Sequence, residues 1–157
     1  MHMHILTLII TLNVENPMHN GDCFNLAMRK SSRLITQFYQ GHLSKTGLKV
    51  GQFSILRAVK LCKETSNKEL QWILVLDQTT LSRNLKPLIR DGYLKLSAHS
   101  EDGRQKIISL SPAGIALYEE ALPIWKAAQV ELQQKVGIAE TDNIMALANV
   151  FVKALGN

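Results

Sequence analysis

The feature that most constrains the fold is an ordered series of helix and turn signals between residues 66 and 110. The tetrapeptide SNKE at 66–69 matches a capping box and predicts a short helix. Asp77 then predicts the start of a second helix, which the Asp-Gly pair at 91–92 ends. A hairpin follows, with strands predicted over 93–97 and 104–110 and an Asp-Gly turn at 102–103. Two helices joined by a tight turn and followed by a hairpin are typical of a winged helix-turn-helix.

Further helices are predicted on both sides of this region. Apolar spacing predicts one helix over 22–42 and another over 50–63. A long helix opens at Ser111-Pro112 with heptad-like apolar spacing, and a last helix is predicted from Thr141, with one apolar stripe. The predicted class is mainly α (α+β): a winged helix-turn-helix with a two-stranded wing and N- and C-terminal dimerisation helices.

The length of 157 residues indicates one domain over 18–157, preceded by an N-terminal extension over 1–17. Within the domain, 18–48 and 111–157 are the predicted dimerisation helices and 49–110 the predicted DNA-binding lobe. The apolar run ILTLIITL at 5–12 is too short to span a bilayer and lacks the basic residues that precede a signal peptide's apolar region. We therefore expect a cytoplasmic protein without membrane contact. The alternative that Met18 is the natural start stays open.

Positive charge is concentrated in the middle of the chain. The formal net charge is +5, and residues 23–110 carry 15 Lys or Arg against 6 Asp or Glu. A basic central segment indicates a polyanionic partner. The two cysteines, Cys23 and Cys62, lack a CxxC spacing, which indicates a reducing compartment.

The helix predicted from Asp77 has two chemically different sides. At 100° per residue, the core side carries Leu81, Leu85, Leu88 and Ile89, and the opposite side carries Thr79, Arg83, Lys86 and Arg90, with Ser82 at its edge. Arginine can bond guanine in a bidentate manner, threonine can contact thymine, and lysine suits phosphate. A merely solvated amphipathic helix would show the same polarity. The wing favours the DNA interpretation, because an arginine beside its turn suits a narrow minor groove.

Four segments together resemble the MarR family of bacterial transcription regulators: GLKVGQFSILRAV (47–59), LDQTTLSRNLKPLIRDGYL (76–94), the D-x-R of Asp102 and Arg104, and SLSPAG (109–114). The resemblance covers roughly residues 20 to 135. It implies a homodimer that presents two recognition helices and two wings to a palindromic operator in double-stranded DNA. It also implies a repressor that is released by a small phenolic or lipophilic effector, or by oxidation.

The resemblance assigns candidate roles to individual residues. Thr79, Thr80, Ser82, Arg83 and Lys86 would lie in or beside the major groove, and Asp102 would orient Arg104 in the minor groove. The full set of candidate DNA-binding residues is Ser66, Lys68, Gln78, Thr79, Thr80, Ser82, Arg83, Lys86, His99, Asp102, Arg104 and Lys106.

Two positions depart from the family pattern. Val75 stands where the family usually has glycine in the turn before the recognition helix. A β-branched residue at positive φ would be strained, so we expect another turn geometry. Asn67 occupies a usually apolar position, which predicts a less firmly seated short helix.

Other candidate sites carry weaker signals. Phe38, His42, Phe53 and Tyr118 are a candidate effector pocket. Cys23 near a helix start is a candidate redox sensor, although Ala27 and Gln37 replace the tyrosines of the peroxide-sensing branch. Cys62 is predicted to lie in the core.

The sequence does not indicate an enzyme, because it lacks the catalytic motifs G-x-S-x-G, HExxH, P-loop, GxGxxG and S-x-x-K. No metal-ligand spacing and no cofactor motif is present either. A regulator of transcription is therefore the predicted function. A winged helix that only binds other proteins is the remaining alternative.

Overall fold

The computed structural model describes residues 23–98 and 106–156. The helices are α1 (Phe24–Leu43), α2 (Val50–Cys62), α3 (Asn67–Leu74), α4 (Gln78–Arg90), α5 (Pro112–Val136) and α6 (Ile138–Leu155), and the strands are β1 (Glu64–Ser66), β2 (Leu94–Ala98) and β3 (Lys106–Leu110). A 3-10 turn, Ser44–Thr46, follows α1. The predicted winged helix-turn-helix with added helices is confirmed. His99, Asp102 and Arg104 lie outside the described residues.

The chain divides into two compact units, residues 1–37 and 38–157. Of the first unit the structure describes 23–37, a stretch of α1 whose Phe24, Met28 and Leu34 are exposed. The second unit contains the helix-turn-helix, the sheet and the C-terminal helices. The predicted boundaries at 17, 48 and 110 remain predictions.

The core of the second unit forms around α2. Its buried residues include Phe53, Ile55, Leu56 and Val59, as their spacing predicted. They pack in one cluster with Leu70 of α3 and with Leu81, Leu85 and Leu88 of α4. Leu70 is fully buried, so α3 is anchored although Asn67 is exposed. These contacts hold both helices of the helix-turn-helix against α2.

The wing belongs to a three-stranded antiparallel sheet in the order β1-β3-β2. The prediction of a two-stranded wing therefore missed one strand. β1 pairs with β3 in the register Glu64↔Ser109, and its Thr65 is buried opposite Ile108. Three residues with one inward side chain show too little alternation to be recognised as a strand.

The SLSPAG segment joins the wing to α5. The Ser111 hydroxyl donates to the Gly92 carbonyl (2.6 Å) and accepts from the Gly114 N–H (3.0 Å). The Ser111 N–H donates to the Tyr93 carbonyl at 3.0 Å. A Cβ on Gly114 would collide with that same Tyr93 oxygen. This close approach explains the glycine and fixes the base of the wing.

Two predicted features were wrong in detail. The last helix begins at Ile138 rather than Thr141, because Gly137 at φ 111° ends α5 and lets the backbone change direction. Thr141 already lies in the first turn of the last helix, where its hydroxyl donates to the Gly137 carbonyl. Cys62 is exposed rather than buried. It is the last residue of α2, and Lys63 at φ 66° turns the chain there towards β1.

Candidate nucleic-acid interface

The start of α4 is fixed by Asp77. Its carboxylate accepts the Thr80 N–H at 2.8 Å and the Thr80 hydroxyl at 2.6 Å. Both bonds lower the pKa of Asp77, and the bond from the Thr80 hydroxyl has the larger effect. The ionised carboxylate also interacts favourably with the positive end of the helix dipole. The N-terminal turn of α4, the part that would meet a groove, is thereby held in one conformation.

The turn between α3 and α4 contains a strained residue. Val75 adopts φ 50° and ψ 49°, the left-handed conformation. The prediction of another turn geometry was wrong. The Leu76 N–H donates to the Gln71 carbonyl at 3.0 Å, which closes the end of α3 and requires this conformation of Val75. A non-glycine residue there costs about 1–2 kcal/mol.

Replacing Val75 by glycine should therefore stabilise the fold. Val75 is 64% exposed, so little packing is lost. We expect the free energy of unfolding to rise by about 0.5–1 kcal/mol after subtracting glycine's extra backbone entropy. Urea denaturation at one protein concentration measures the change. Val75→Ala, which keeps Cβ, is the matched control and should gain less. A Val75→Gly variant less stable than the wild type would contradict the assigned strain.

The exposed side of α4 carries the predicted groove-facing residues. Thr79, Arg83 and Lys86 are exposed and Ser82 is half-buried, whereas Leu81, Leu85 and Leu88 on the other side are buried. Within the described part of the chain, neither Arg83 nor Lys86 has an ion-pair partner. Both cations are available to phosphates or base edges.

Other candidate DNA-binding residues already have partners. The Gln78 amide accepts from Gln71 (2.7 Å) and donates to Ser82 (3.4 Å). The Ser66 hydroxyl completes the capping box by donating to Glu69 and accepting its N–H. Direct DNA contacts by Ser66, Gln78 and Thr80 stay predictions, because their polar groups are shared with these bonds.

Arg90 differs from Arg83 although both lie on the exposed side. Its guanidinium donates two hydrogen bonds to Asp91, at 2.7 and 3.1 Å. The pair raises the pKa of Arg90 and lowers that of Asp91. The positive charge of Arg90 is thus partly neutralised, which leaves Arg83 and Lys86 as the dominant cations of α4.

Two further candidate DNA-binding residues are lysines. Lys68 is exposed in the first turn of α3, and Lys106 is exposed at the start of β3. Neither pairs with an acid within the ranges that the structure describes. The roles of His99, Asp102 and Arg104 stay predictions, since these residues fall in the undescribed stretch.

The structure arranges the four predicted pocket residues as two pairs. The Phe38 and His42 rings lie 4.8 Å apart, and the Phe53 and Tyr118 rings stack at 5.9 Å. A cavity of about 240 Å³ is lined by Phe53 without the other three. Arg57 and Trp125 also line this cavity, and the guanidinium of Arg57 lies 4.4 Å from the centroid of the Trp125 ring. Sequence reasoning missed this pair, because 67 residues separate its members and no local pattern joins them.

His42 links α1 to α5. Its Nδ1 lies 3.0 Å from the Phe38 carbonyl and its Nε2 lies 3.0 Å from the Glu131 carboxylate. The imidazolium form, with a proton on each ring nitrogen, donates to both the carbonyl and the ionised carboxylate and is therefore favoured by these two contacts. The hydrogen bond to the Phe38 carbonyl, followed by the one to Glu131, raises the pKa of His42, whereas burial and the charge of Lys45 lower it. The His42 bond lowers the pKa of Glu131, and Lys135 assists.

This pair predicts a pH-dependent contribution to stability. A raised histidine pKa stabilises the fold fully below the unfolded value near 6.5, and the gain is lost as pH rises through the folded pKa. The lowered pKa of Glu131 adds a contribution that disappears as pH falls below about 4.5. We expect His42→Gln to reduce the urea midpoint at pH 5.5 and to have almost no effect at pH 9. Glu131→Gln should likewise reduce the urea midpoint at pH 5.5 and have almost no effect at pH 9. An equal loss at both pH values would contradict the ion pair.

Comparison with known proteins decides the family. Residues 37–121 match the family model described as transcriptional regulator SarA/Rot. The chain belongs to this family. An uncharacterised HTH-type transcriptional regulator of Staphylococcus aureus strain Mu50 is 30% identical over 108 residues, which cover 66% of this chain and 74% of the relative. This SarA/Rot-family protein is a DNA-binding transcription regulator, not an enzyme.

Solved structures of MarR-type regulators share the fold. The Mycobacterium tuberculosis regulator MosR in complex with DNA is 30% identical, with a TM-score of 0.72 over 85% of this chain and 99% of that chain. A MarR mutant from Escherichia coli complexed with operator DNA has a TM-score of 0.76 over 90% of this chain and 99% of that chain, at 18% identity. The predicted MarR-like winged helix is confirmed. In the described ranges, no helix is long and apolar enough to cross a membrane.

Proposed function

We propose that this protein is a homodimeric, sequence-specific repressor that binds a palindromic operator and is released by a small lipophilic or phenolic effector. The observation that carries the proposal is the exposed face of α4. Arg83 and Lys86 have no ion-pair partner in the described part of the chain, and the opposite side of the helix is fixed in the core. A rigid helix with available cations suits entry into a major groove.

Each part of the proposed interface has a distinct task. Thr79, Ser82 and Arg83 near the start of α4 contact base edges, with Arg83 donating to guanine. Lys86 and Lys68 bind phosphates and set the register. On the wing, Lys106 contacts the backbone, and Arg104 oriented by Asp102 enters the minor groove. The structure of MosR in complex with DNA, a protein 30% identical to this chain, supports this arrangement.

The dimer rests on the surface of α6. None of its described residues is buried, and its exposed large apolar side chains are Ile138, Ile144, Met145, Leu147, Val150, Phe151, Val152 and Leu155. A continuous apolar helix surface of this length is typical of an interface between subunits. A second copy would cover it and would place two α4 helices on the two half-sites of an operator.

Light scattering tests the dimer. We expect the wild type at micromolar concentration to have twice the chain mass of 17.6 kDa. Phe151→Asp places a charge in the apolar surface and should shift the protein to monomer, with loss of DNA binding. Asn149→Asp adds the same charge elsewhere on exposed α6 and should leave the dimer intact. A monomeric wild type would contradict the proposed assembly.

The effector is proposed from the resemblance to MarR regulators, with Phe38, His42, Phe53 and Tyr118 as candidate contacts. The protein would act in the cytoplasm, where the chromosome lies. Cys23 is exposed, as a redox sensor requires. No second feature of the described residues supports oxidation, so release by a ligand is the proposed mode.

A further inference from the structure

Two glutamine side chains bridge the two helices of the helix-turn-helix. The amide nitrogen of Gln71 on α3 donates to the amide oxygen of Gln78 on α4 at 2.7 Å, and the Gln78 amide nitrogen donates to the Ser82 hydroxyl at 3.4 Å. Gln78 is the first residue of α4, and Ser82 follows one turn later on the same helix. The bridge therefore crosses the turn at Val75 and ends at the part of the recognition helix that would reach base edges.

The first bond joins an anchored side chain to an exposed one. The Gln71 carbonyl accepts the Leu76 N–H at 3.0 Å, and the preceding Leu70 is fully buried, so the backbone of Gln71 is fixed. Gln71 is half-buried, whereas Gln78 is exposed. An exposed glutamine without a partner samples several rotamers and loses that freedom when it binds a base. Because Gln78 is bonded to Gln71, part of that freedom is already lost in the free protein.

The bridge leaves Gln78 with the hydrogen-bonding groups that adenine requires. A glutamine amide has two N–H donors and an oxygen that can accept two hydrogen bonds. Gln78 uses one N–H for Ser82 and one acceptor position for Gln71, so one N–H and one acceptor position remain. In the major groove adenine presents N7 as an acceptor and the N6 amino group as a donor, and a glutamine can bond both.

We propose that Gln78 reads one adenine in each half-site of the operator and that Gln71 is the positioning residue that orients its amide. The inference rests on the proposed function, because it needs a sequence-specific contact by α4. Gln78 and Ser82 form a row on α4 that adjoins the row of Thr79 and Arg83, since successive residues lie 100° apart. The two rows can therefore contact different base pairs. Local spacing did not indicate Gln71, because its partner lies seven residues away across a turn.

Base analogues test the adenine contact. The duplex is the operator selected by the wild-type protein, in which each adenine of the half-site is replaced in turn, symmetrically in both half-sites, by 7-deazaadenine, which lacks N7. Fluorescence anisotropy should show that the wild type loses about tenfold in affinity at one such position. Gln78→Met, which has a side chain of similar length without the amide, should bind the modified and unmodified duplexes equally.

A second substitution tests the positioning role. Gln71→Met should reduce the penalty of 7-deazaadenine at that position from about tenfold to about threefold, because Gln78 keeps its amide but loses its fixed orientation. In the Gln78→Met background, Gln71→Met should change the penalty no further. Arg83→Ala is the matched control on α4, and it should lower affinity for the operator but keep the tenfold penalty. Each penalty compares two duplexes on the same protein, so it does not depend on the folded fraction.

Two results would overturn the inference. A penalty that persists in Gln78→Met at every sensitive position would show that another residue reads adenine. A penalty that stays near tenfold in Gln71→Met would show that Gln71 does not orient Gln78, even if the affinity for all duplexes falls, as it would after loss of a phosphate contact. Failure of the wild type to select any duplex would instead refute the proposed function. An operator without a Gln78-dependent adenine would refute this inference alone.

Discussion

Replacing Arg83 by alanine should weaken binding to the preferred duplex by about 1–3 kcal/mol per subunit and leave binding to scrambled DNA almost unchanged. In a dimer with two recognition helices the loss occurs twice, and a reduction in affinity of about 30-fold to 2 × 10⁴-fold follows. The reason is geometric. Arg83 is exposed on α4 opposite buried Leu81 and Leu85, so its guanidinium is the group best placed to bond a guanine edge.

Lys86→Ala is the matched control for this prediction. Lys86 lies on the same exposed face and has the same charge, but we assign it to phosphate. Its loss should weaken both duplexes alike and reduce the salt slope by about one contact per subunit. Fluorescence anisotropy at several salt concentrations measures all three proteins on both duplexes. Equal losses for Arg83→Ala on both duplexes would mean that Arg83 does not read sequence.

Gly114→Ala should be the most destabilising small substitution in the described part of the second unit. The added Cβ would collide with the Tyr93 carbonyl oxygen, which already accepts the Ser111 N–H at 3.0 Å. Relief requires α5 and the base of the wing to separate. Overpacking of this kind against backbone costs about 3 kcal/mol.

Urea denaturation checks this cost against Gly41→Ala. Gly41 lies in α1, and a Cβ there meets nothing within 4 Å. The control should therefore gain up to about 1 kcal/mol of stability from helix propensity alone. If both substitutions shifted the midpoint in the same direction, the contact between α5 and the wing would be wrongly described.

The elements that sequence predicted well are specified by adjacent residues. The capping box of α3, the Asp77 cap of α4 and the core side of α4 depend on spacings of three to seven residues, and the structure has all of them. β1 could not be found in this way. Its three residues become a strand only because β3, more than 40 residues later, supplies the hydrogen-bond partners.

The conformation of Val75 was missed for a different reason. Local preference argues against a β-branched residue at positive φ, yet the packing of α3 and α4 on α2 requires the tight turn. Tertiary contacts therefore outweigh a local cost of about 1–2 kcal/mol. Where a sequence places an unsuitable residue in a turn that the fold needs, the turn persists and carries strain.

The candidate interface was predictable as a face but not in its internal bonds. Helical periodicity put Arg83 and Arg90 on the same side, and only the three-dimensional structure shows that Arg90 pairs with Asp91. The His42–Glu131 link joins residues 89 positions apart, so no local spacing could reveal it. Of these two pairs, Arg90–Asp91 bears on DNA binding, because it partly neutralises one of the three cations of α4.

Selection of bound duplexes from a random pool tests the central claim most directly, when followed by affinity measurement on the selected and a scrambled duplex. We expect enrichment of an inverted repeat and an affinity ratio of at least about 10³ at physiological salt. Each half-site should contain a guanine whose replacement removes the effect of Arg83→Ala. Recovery of no common sequence, with equal affinity for both duplexes, would show that α4 is only a basic surface and would contradict the account.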